Sequence, residues 1–500
     1  MKNTASYIGL GSLILVIGCC LPICHPASAG SHGSQGMASP PAKWKAIVSG
    51  LETTIPRLMD EGDVPGLSVG LIGDNKVIWS HGFGVRSTET REPVTDSTIF
   101  EAASLSKAVI AYAVLKLSDE GKIGLDVPLS KYLPNYIEGD DRINLITART
   151  VMSHRTGFPN WRRGSLKIYF TPGERFSYSG EGFVYLAKVV ERITGQPLND
   201  FMKHEVFEPL GMTSSNYVWR DDYDLRTAVG HDDARAPHIK VKPINPNAAA
   251  SLHTTALDYS KFVIAVMTGA GLKPQTAAQM LTPQVKVNPA CTDCIEAMPG
   301  ALSDSLGWGL GIGLEHTDQG DSFWHWGDNG LFKCYVQAYP KQQAGIVVFT
   351  NSEYGLSIIP DIVNVPFPGP HPAFAWLKYG RYDSPDHRFL KAILGSGADE
   401  AIKKYADSAA KGSRKEIDER DMNNVGYVLL RLKWIKDAIS VFQLNVADHP
   451  DSWNAYDSLA EAYVSEGDKD LAVKNYKKSI ELNPANKSGG EMLKKLQEGR

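Results

Sequence analysis

The chain has 500 residues, of which 43 % are hydrophobic and 22 % charged, a globular composition that excludes a largely disordered or fibrous protein. Lys plus Arg number 52 against 56 Asp plus Glu, for a net charge of −4, so there is no basic footprint for neutralising nucleic-acid phosphates. At roughly 150 residues per domain the length suggests about three units.

Lys2 precedes an apolar stretch from Tyr7 to Ile17, and Pro22 and then Ala27-Ser28-Ala29 follow. A positive n-region, a short apolar core and a small-residue cleavage site predict a signal peptide over residues 1–29. Val16-Ile17-Gly18-Cys19 also resembles a lipobox, and processing there would leave a lipid anchor on Cys19. An uncleaved anchor is the weakest alternative, because the apolar run falls short of the ~20 residues of a membrane span. Each route places the remainder outside the cytoplasm, in a periplasmic or extracellular setting. Residues 30–45, rich in Ser, Gly, His and Pro at their start, read as a flexible tether.

The next unit is expected over residues 46–365. Trp44 to Met59 has helical spacing. Leu67, Val69 and Leu71 alternate, Gly73-Asp74-Asn75 supplies a turn, and Val77 and Trp79 resume the alternation, which predicts a β-hairpin. A helix is predicted from Ser104 to Glu120, with Val109, Ile110, Ala113, Val114 and Leu117 on one apolar face and Gly121 as its stop. Residues 125–290 are rich in Pro and Gly and read as loops and helices. Strand patterns return at Phe323–Trp326, Cys334–Tyr339 and Ile346–Thr350. Strands at both ends with helices between them predict an α+β unit whose first and last segments share one sheet.

Phe367-Pro368-Gly369-Pro370 opens an expected Pro-rich linker, residues 366–386, and an all-α region follows over 387–500. A helix is predicted from His387 to Ala410. Gly426, Ala438, Phe442 and Pro450 recur 34 residues later as Ala460, Ala472, Tyr476 and Pro484. Small residues let paired helices approach, the aromatic fills the gap between repeats, and Pro ends the second helix. The period and its residue types resemble the tetratricopeptide repeat, placed at about 419–452 and 453–486, a usual platform for a protein or peptide partner.

Ser104-Leu105-Ser106-Lys107 is an S-x-x-K whose hydroxyl and amine share a helix face. A Ser hydroxyl is a poor nucleophile until something accepts its proton, and an amine held in a dry pocket can be neutral enough to do so. The helix N-terminus adds positive potential where oxyanion charge develops. The bare pattern is weak, since Ser408-Ala409-Ala410-Lys411 also matches it. Two partners strengthen the first match. Tyr178 in Tyr178-Ser179-Gly180 can share a proton with a serine, and His325-Trp326-Gly327 lies on a predicted strand about 220 residues beyond the serine. Singly, a loop Tyr and a strand His are packing residues; the three in this order point to an active site.

These residues resemble the serine β-lactamase and penicillin-binding protein superfamily, nearest its class C-like branch with D-aminopeptidases and family VIII esterases. The resemblance covers about residues 46–360. It extends to Val64-Pro65-Gly66-Leu67-Ser68-Val69, Met152-Ser153-His154-Arg155-Thr156-Gly157 and Pro209-Leu210-Gly211-Met212. It implies a β-lactamase/transpeptidase-like fold and a serine hydrolase that needs no cofactor or metal. Ser104 would be the acylated nucleophile, Lys107 its proton acceptor and Tyr178 the acid/base. The backbone N–H groups of Ser104 and Asp328 would form the oxyanion hole. His325, Gly327, Gly180 and Trp161 would line the substrate site.

Two departures bear on substrate. Gly180 replaces the Asn of the usual Tyr-x-Asn, and His325 replaces the Lys of the usual Lys-Thr-Gly. A histidine is only fractionally charged near neutral pH, so recognition of an anionic amide is weakened. An ester or D-amino-acid peptide is the expected substrate, with β-lactam or DD-peptidase chemistry as the alternative and a non-catalytic cell-wall-peptide scaffold as another. Arg162 or Arg163 would supply the missing charge in the β-lactam case.

Other patterns are set aside. Gly66-Leu67-Ser68-Val69-Gly70 matches G-x-S-x-G but lies inside a predicted strand, whereas the nucleophile elbow needs a strand-to-helix turn. Gly307, Gly309, Gly311 and Gly313 read as one alternating strand with a bare face. Cys291-Thr292-Asp293-Cys294 has no second cysteine pair for zinc and reads as a small loop disulfide. Cys334 reads as a buried small hydrophobe.

Overall fold

The computed structural model of the chain describes residues 41–297, 299–408 and 417–498. The expected signal peptide, Cys19, most of the tether and Lys411 of the second S-x-x-K lie outside the described residues. Helix α1 (Ala42–Glu61) begins within the stretch read as tether and leads into the hairpin of β1 (Gly66–Gly73) and β2 (Lys76–Gly84). Strand β3 (Phe100–Glu101) and a single turn, Ala103–Leu105, open α2 (Ser106–Asp119). The middle of the chain forms α3 (Ala148–Met152), α4 (Gly180–Thr194), α5 (Leu198–Met202), β4 (His253–Thr254), α6 (Ala256–Thr268) and α7 (Pro274–Met280). Then come β5 (Val285–Lys286), β6 (Leu306–Trp308), β7 (Gly313–Thr317), β8 (Gly320–Asp328), β9 (Lys333–Tyr339) and β10 (Ala344–Thr350). Helices α8 (Gly355–Asn364) and α9 (Pro372–Leu377) close this part.

One antiparallel sheet runs in the order β2-β1-β10-β9-β8-β7-β6-β5. The first hairpin joins the last strand, with Val69 opposite Val348 and Leu71 opposite Ile346. Alternation sends successive side chains to opposite faces. Leu67, Val69, Leu71, Ile346 and Val348 share a core with α1, α8 and α9. Ile72, Val336, Val347 and Phe349 share the other with α2 and α6. Helix α2 is buried on all sides from Ser106 to Leu115. The single apolar face predicted for it is therefore too narrow, because a helix that is apolar all round runs through the middle of a protein.

Three further expectations need correction. The glycine series is a hairpin, not one strand: β6 and β7 are joined by a turn at Gly311, whose φ of +83° suits a residue without Cβ. Glycine is also needed there for space, since a Cβ would strike Ala111 of α2. Residues 366–386 are not a linker. Phe367, Ala373 and Trp376 are buried in the sheet core, and the Ala373 N–H donates to the buried Glu315 carboxylate at 2.9 Å. The helix expected over 387–410 is two, α10 (Pro385–Ser396) and α11 (Ala398–Ser408), broken at Gly397 with φ +84°. Ser68, for its part, pairs within β1 opposite Phe349 and Gly82, which leaves no elbow.

The tail continues as α12 (Glu419–Arg431), α13 (Ile435–Asp448), α14 (Trp453–Glu466), α15 (Lys469–Leu482) and α16 (Lys487–Gln497). The Phe442 ring lies against Gly426 of its own helix pair, where a Cβ would collide with it, so the aromatic fills a gap within a repeat as well. Arg431 pairs with Asp233, and the His387 ring donates to the Glu61 carbonyl at 3.2 Å, so the tail is fastened to the sheet domain. Among the described residues no helix is long and apolar enough to cross a membrane.

Trp376 contacts the rings of Phe176, Trp308, Trp324 and Trp326 and donates its indole N–H to Asn288. Trp376→Ala is expected to destabilise the protein by about 3–5 kcal/mol in urea unfolding, as for other buried aromatics. A linker residue would change stability by less than about 0.5 kcal/mol.

Candidate active site

Ser104 sits in the turn that enters α2, three residues before Lys107. Ala103, just ahead of it, has φ +46°, a left-handed conformation that costs a non-glycine residue roughly 1–2 kcal/mol. Several long-range bonds hold this turn. The Ala102 N–H donates to the Leu252 carbonyl at 2.7 Å, and the Ser106 hydroxyl accepts from the Leu252 N–H at 3.1 Å. Tyr259 donates to the Leu105 carbonyl at 3.0 Å and Tyr217 to that of Ser106 at 2.8 Å. Cys334, buried as expected, directs its thiol to the Ala102 carbonyl at 3.2 Å.

Lys107 is fully buried, and its Nζ is hydrogen-bonded to Ser104 Oγ at 2.9 Å and to the Ala249 carbonyl at 2.9 Å. The rings of Tyr178, Phe183 and Trp161 lie 4.8, 6.0 and 5.8 Å from Nζ. Burial lowers its pKa to about 7, so the neutral amine is accessible near physiological pH.

Tyr178 reaches the same point from the segment before α4. Burial pushes its pKa up, and the Ser104 side chain draws it back only in part. Its hydroxyl has no hydrogen bond of ordinary geometry to a described residue. On one side the Tyr178 ring stacks on His154 at 4.2 Å; on the other it lies 4.7 Å from Trp326. His154 also accepts the Ser179 N–H at Nδ1, 2.9 Å away. Its pKa is held well below the usual histidine range by burial, and secondarily by Lys107.

His325, on β8, is fully buried. Burial first, and Lys107 second, bring its pKa down to about 3. The fractional charge expected from sequence is therefore corrected: at neutral pH His325 carries none. Its Nδ1–H donates to the Trp326 carbonyl at 2.7 Å, which leaves Nε2 as a bare acceptor beside Tyr178. Gly327 brings β8 against the Ser104 turn, where a Cβ would stand 2.5 Å from the Ala102 carbonyl oxygen and 3.1 Å from Ala103 Cβ. Asp328 follows it, with its carboxylate held by Lys333, by Tyr379 at 2.7 Å and by the Gly330 N–H at 2.8 Å.

Gly180 is covered. A Cβ there would lie 2.8 Å from the Trp161 ring and 2.9 Å from the Asn160 carbonyl oxygen, so Trp161 fills the space a larger residue would take. Trp161 is half exposed, with its ring 5.8 Å from Lys107 Nζ. Arg162 is tied to the buried Glu181, its N–H donating to Oε1 at 3.2 Å. Arg163 is exposed on the same loop. The structure thus brings Ser104, Lys107, Tyr178, His325, Gly327, Gly180 and Trp161 together. His154, Ser106, Tyr217, Tyr259 and Cys334 support them. His154 lies in a stretch already singled out in the sequence, but nothing there signals its stacking on Tyr178.

A sheet flanked by helices on both faces, with S-x-x-K at the head of a buried central helix, is the β-lactamase/transpeptidase-like fold. The chain belongs to the Beta-lactamase family, whose sequence model matches residues 51–359, and a Tetratricopeptide repeat model matches residues 454–486. Protein flp of Staphylococcus aureus is 24 % identical over 332 residues, 61 % of this chain and 63 % of that protein. The chain therefore spans under two thirds of the length of the first curated relatives it matches. Among solved structures, the octameric penicillin-binding protein homologue from Pyrococcus abyssi is 24 % identical with a TM-score of 0.54, covering 69 % of this chain and 82 % of that one. D-alanine carboxypeptidase AmpC from Burkholderia cenocepacia is 20 % identical with a TM-score of 0.55, covering 64 % and 97 %. At these identities the structural likeness is one of fold.

Gly327→Ala is expected to push β8 off the Ser104 turn at a cost of about 1–3 kcal/mol, the range for overpacking a filled site. Chemical denaturation measures the loss; wild-type stability would show that the close approach is not tight.

Proposed function

We propose that this protein is an extracytoplasmic serine hydrolase that works through an acyl-serine intermediate on esters or D-amino-acid-containing peptides. The observation that carries the reading is the hydrogen bond between Lys107 Nζ and Ser104 Oγ, with burial bringing the amine's pKa to about 7. Neutral Lys107 accepts the Ser104 proton as Oγ attacks the substrate carbonyl. The tetrahedral oxyanion is met by the N–H groups of Ser104 and Asp328. Tyr178 passes a proton to the leaving group, the carbonyl re-forms, and the acyl group stays on Oγ. A water then attacks the ester, giving up a proton through the same residues, and Ser104 recovers its own.

The substrate lean rests on charge. A carboxylate entering the site meets a neutral His325, and Arg162 is already paired with Glu181. A substrate amide side chain finds Trp161 over Gly180 in place of an Asn. Each buried polar group left unmatched costs ~1–3 kcal/mol. A short ester has neither group to satisfy. The D-peptide arm draws on the fold shared with a D-alanine carboxypeptidase, and the location draws on the N-terminal signal pattern.

The direct test is labelling by a fluorophosphonate. Ser104 should be the modified residue, and Ser104→Ala should abolish both labelling and turnover, a loss on the order of 10³-fold or more. The labelling rate should rise with pH through about 7, because below that value Lys107 is protonated and cannot accept the proton. A rate that is flat from pH 5 to 9 would remove Lys107 from that role.

For substrate, kcat/KM for p-nitrophenyl butyrate should exceed that for nitrocefin by at least about a hundredfold. This corresponds to two unmatched polar groups at 1.36 kcal/mol per tenfold. Comparable rates on the two would overturn the ester lean and leave the acyl-serine chemistry in place.

A further inference from the structure

Cys291 and Cys294 are joined by a disulfide, and the ring it closes contains only Thr292 and Asp293 between the two cysteines. Both of these residues hold the segment that carries Tyr178. The Thr292 carbonyl accepts the backbone N–H of Tyr178 at 2.9 Å, and the Asp293 carboxylate accepts the Ser177 hydroxyl at 3.1 Å. Just beyond the ring, the Cys294 and Ile295 carbonyls accept Arg175 Nε and Nη2 at 3.1 and 2.7 Å. The opposite edge of the segment is held by His154, which accepts the N–H groups of Ser177 at its carbonyl and Ser179 at Nδ1.

The loop is itself anchored. Asn288 accepts the Trp376 indole N–H at 2.9 Å, and Ala290 accepts Lys378 Nζ at 2.8 Å. No regular secondary structure holds residues 288–295, so between these hydrogen-bonded anchors the disulfide is the covalent limit on the positions Thr292 can take. A short covalent ring fixes local geometry that a flexible loop would sample at an entropic cost.

We propose that the Cys291–Cys294 disulfide is a positioning element for Tyr178, holding through the Thr292 carbonyl the hydroxyl that moves protons at Ser104. The proposal rests on the acyl-serine reading above. A dithiol opens the ring by supplying two electrons and two protons: the S–S bond becomes two thiols, and the dithiol leaves as its own cyclic disulfide. Thr292 is then free to move, and Tyr178 loses its one loop-side backbone bond. A displacement of about 1 Å at such a group costs up to roughly a hundredfold.

The test uses the full-length oxidised protein with and without dithiothreitol, with alkylation and peptide mass confirming that Cys291 and Cys294 are freed. Reduction should lower kcat for p-nitrophenyl butyrate by roughly tenfold or more with KM changed less than about twofold, and reoxidation should restore it. The Cys291→Ser/Cys294→Ser variant should show the low kcat with or without reductant. In Tyr178→Phe, reduction should bring no further loss, because the group being positioned is gone. A second readout needs no turnover: hydrogen exchange over residues 175–179 should quicken on reduction. Unchanged kcat with both thiols alkylated, an equal loss in Tyr178→Phe, or unchanged exchange would each overturn the proposal. A fluorophosphonate that leaves Ser104 unlabelled in the oxidised protein would instead overturn the hydrolase reading, with the exchange measurement still deciding the clamp.

Discussion

Taking an ammonium out of water costs several kcal/mol unless an opposite charge is buried with it, and Lys107 is fully buried with Ser104 Oγ and the Ala249 carbonyl as its polar contacts among the described residues. The aromatic faces of Tyr178, Phe183 and Trp161 soften the charged form without compensating it. The folded protein therefore holds the amine near the point where either form is accessible. The same field reaches outward. His154 and His325 both have their pKa values lowered chiefly by burial and further by the nearby lysine. Burial, with the lysine adding to it, thus leaves His325 as a hydrogen-bond acceptor with no charge.

Keeping that amine dry and fixed explains much of the surrounding architecture. Helix α2 is enclosed between the sheet and the helices of the middle region, so its first turn cannot shift without disturbing both. The left-handed Ala103 is tolerated because Leu252, Cys334, Tyr217 and Tyr259 fix the residues around it. Gly327 lets β8 approach where any side chain would hold it off. Strain and close contact meet at the one turn that carries Ser104.

The parts legible in the sequence are those encoded by local spacing. The hairpin of β1 and β2, the late strands, α2 and the paired tail helices follow from periods of two, 3.6 and 34 residues. The parts that were not legible depend on contacts between distant segments. Phe367-Pro368-Gly369-Pro370 looks like a breaker, and only the sheet shows that Trp376 beyond it completes an aromatic core. The four alternating glycines fit one strand as well as two, until Ala111 and Trp324 appear against them. His325 looks half-charged because burial is invisible in sequence. The support given by His154, Ser106, Tyr217 and Tyr259 spans separations that no motif encodes.

Three buried polar atoms near the site have no hydrogen bond of ordinary geometry to a described residue: Tyr178 Oη, His154 Nε2 and His325 Nε2. At ~1–3 kcal/mol each, such atoms are a poor choice for stability alone. A core built only to fold would place apolar side chains there, as the rest of α2 does with Val109, Ile110, Val114 and Leu115. The cost is concentrated near the S-x-x-K, on groups able to give or accept a proton. A hydroxyl whose own pKa is raised by burial holds its proton firmly until a developing charge calls for it. An unprotonated histidine can receive a hydrogen bond that a lysine in its place could only donate. The buried polar groups around the S-x-x-K are therefore ones whose protonation the surrounding protein perturbs, as at sites that move protons.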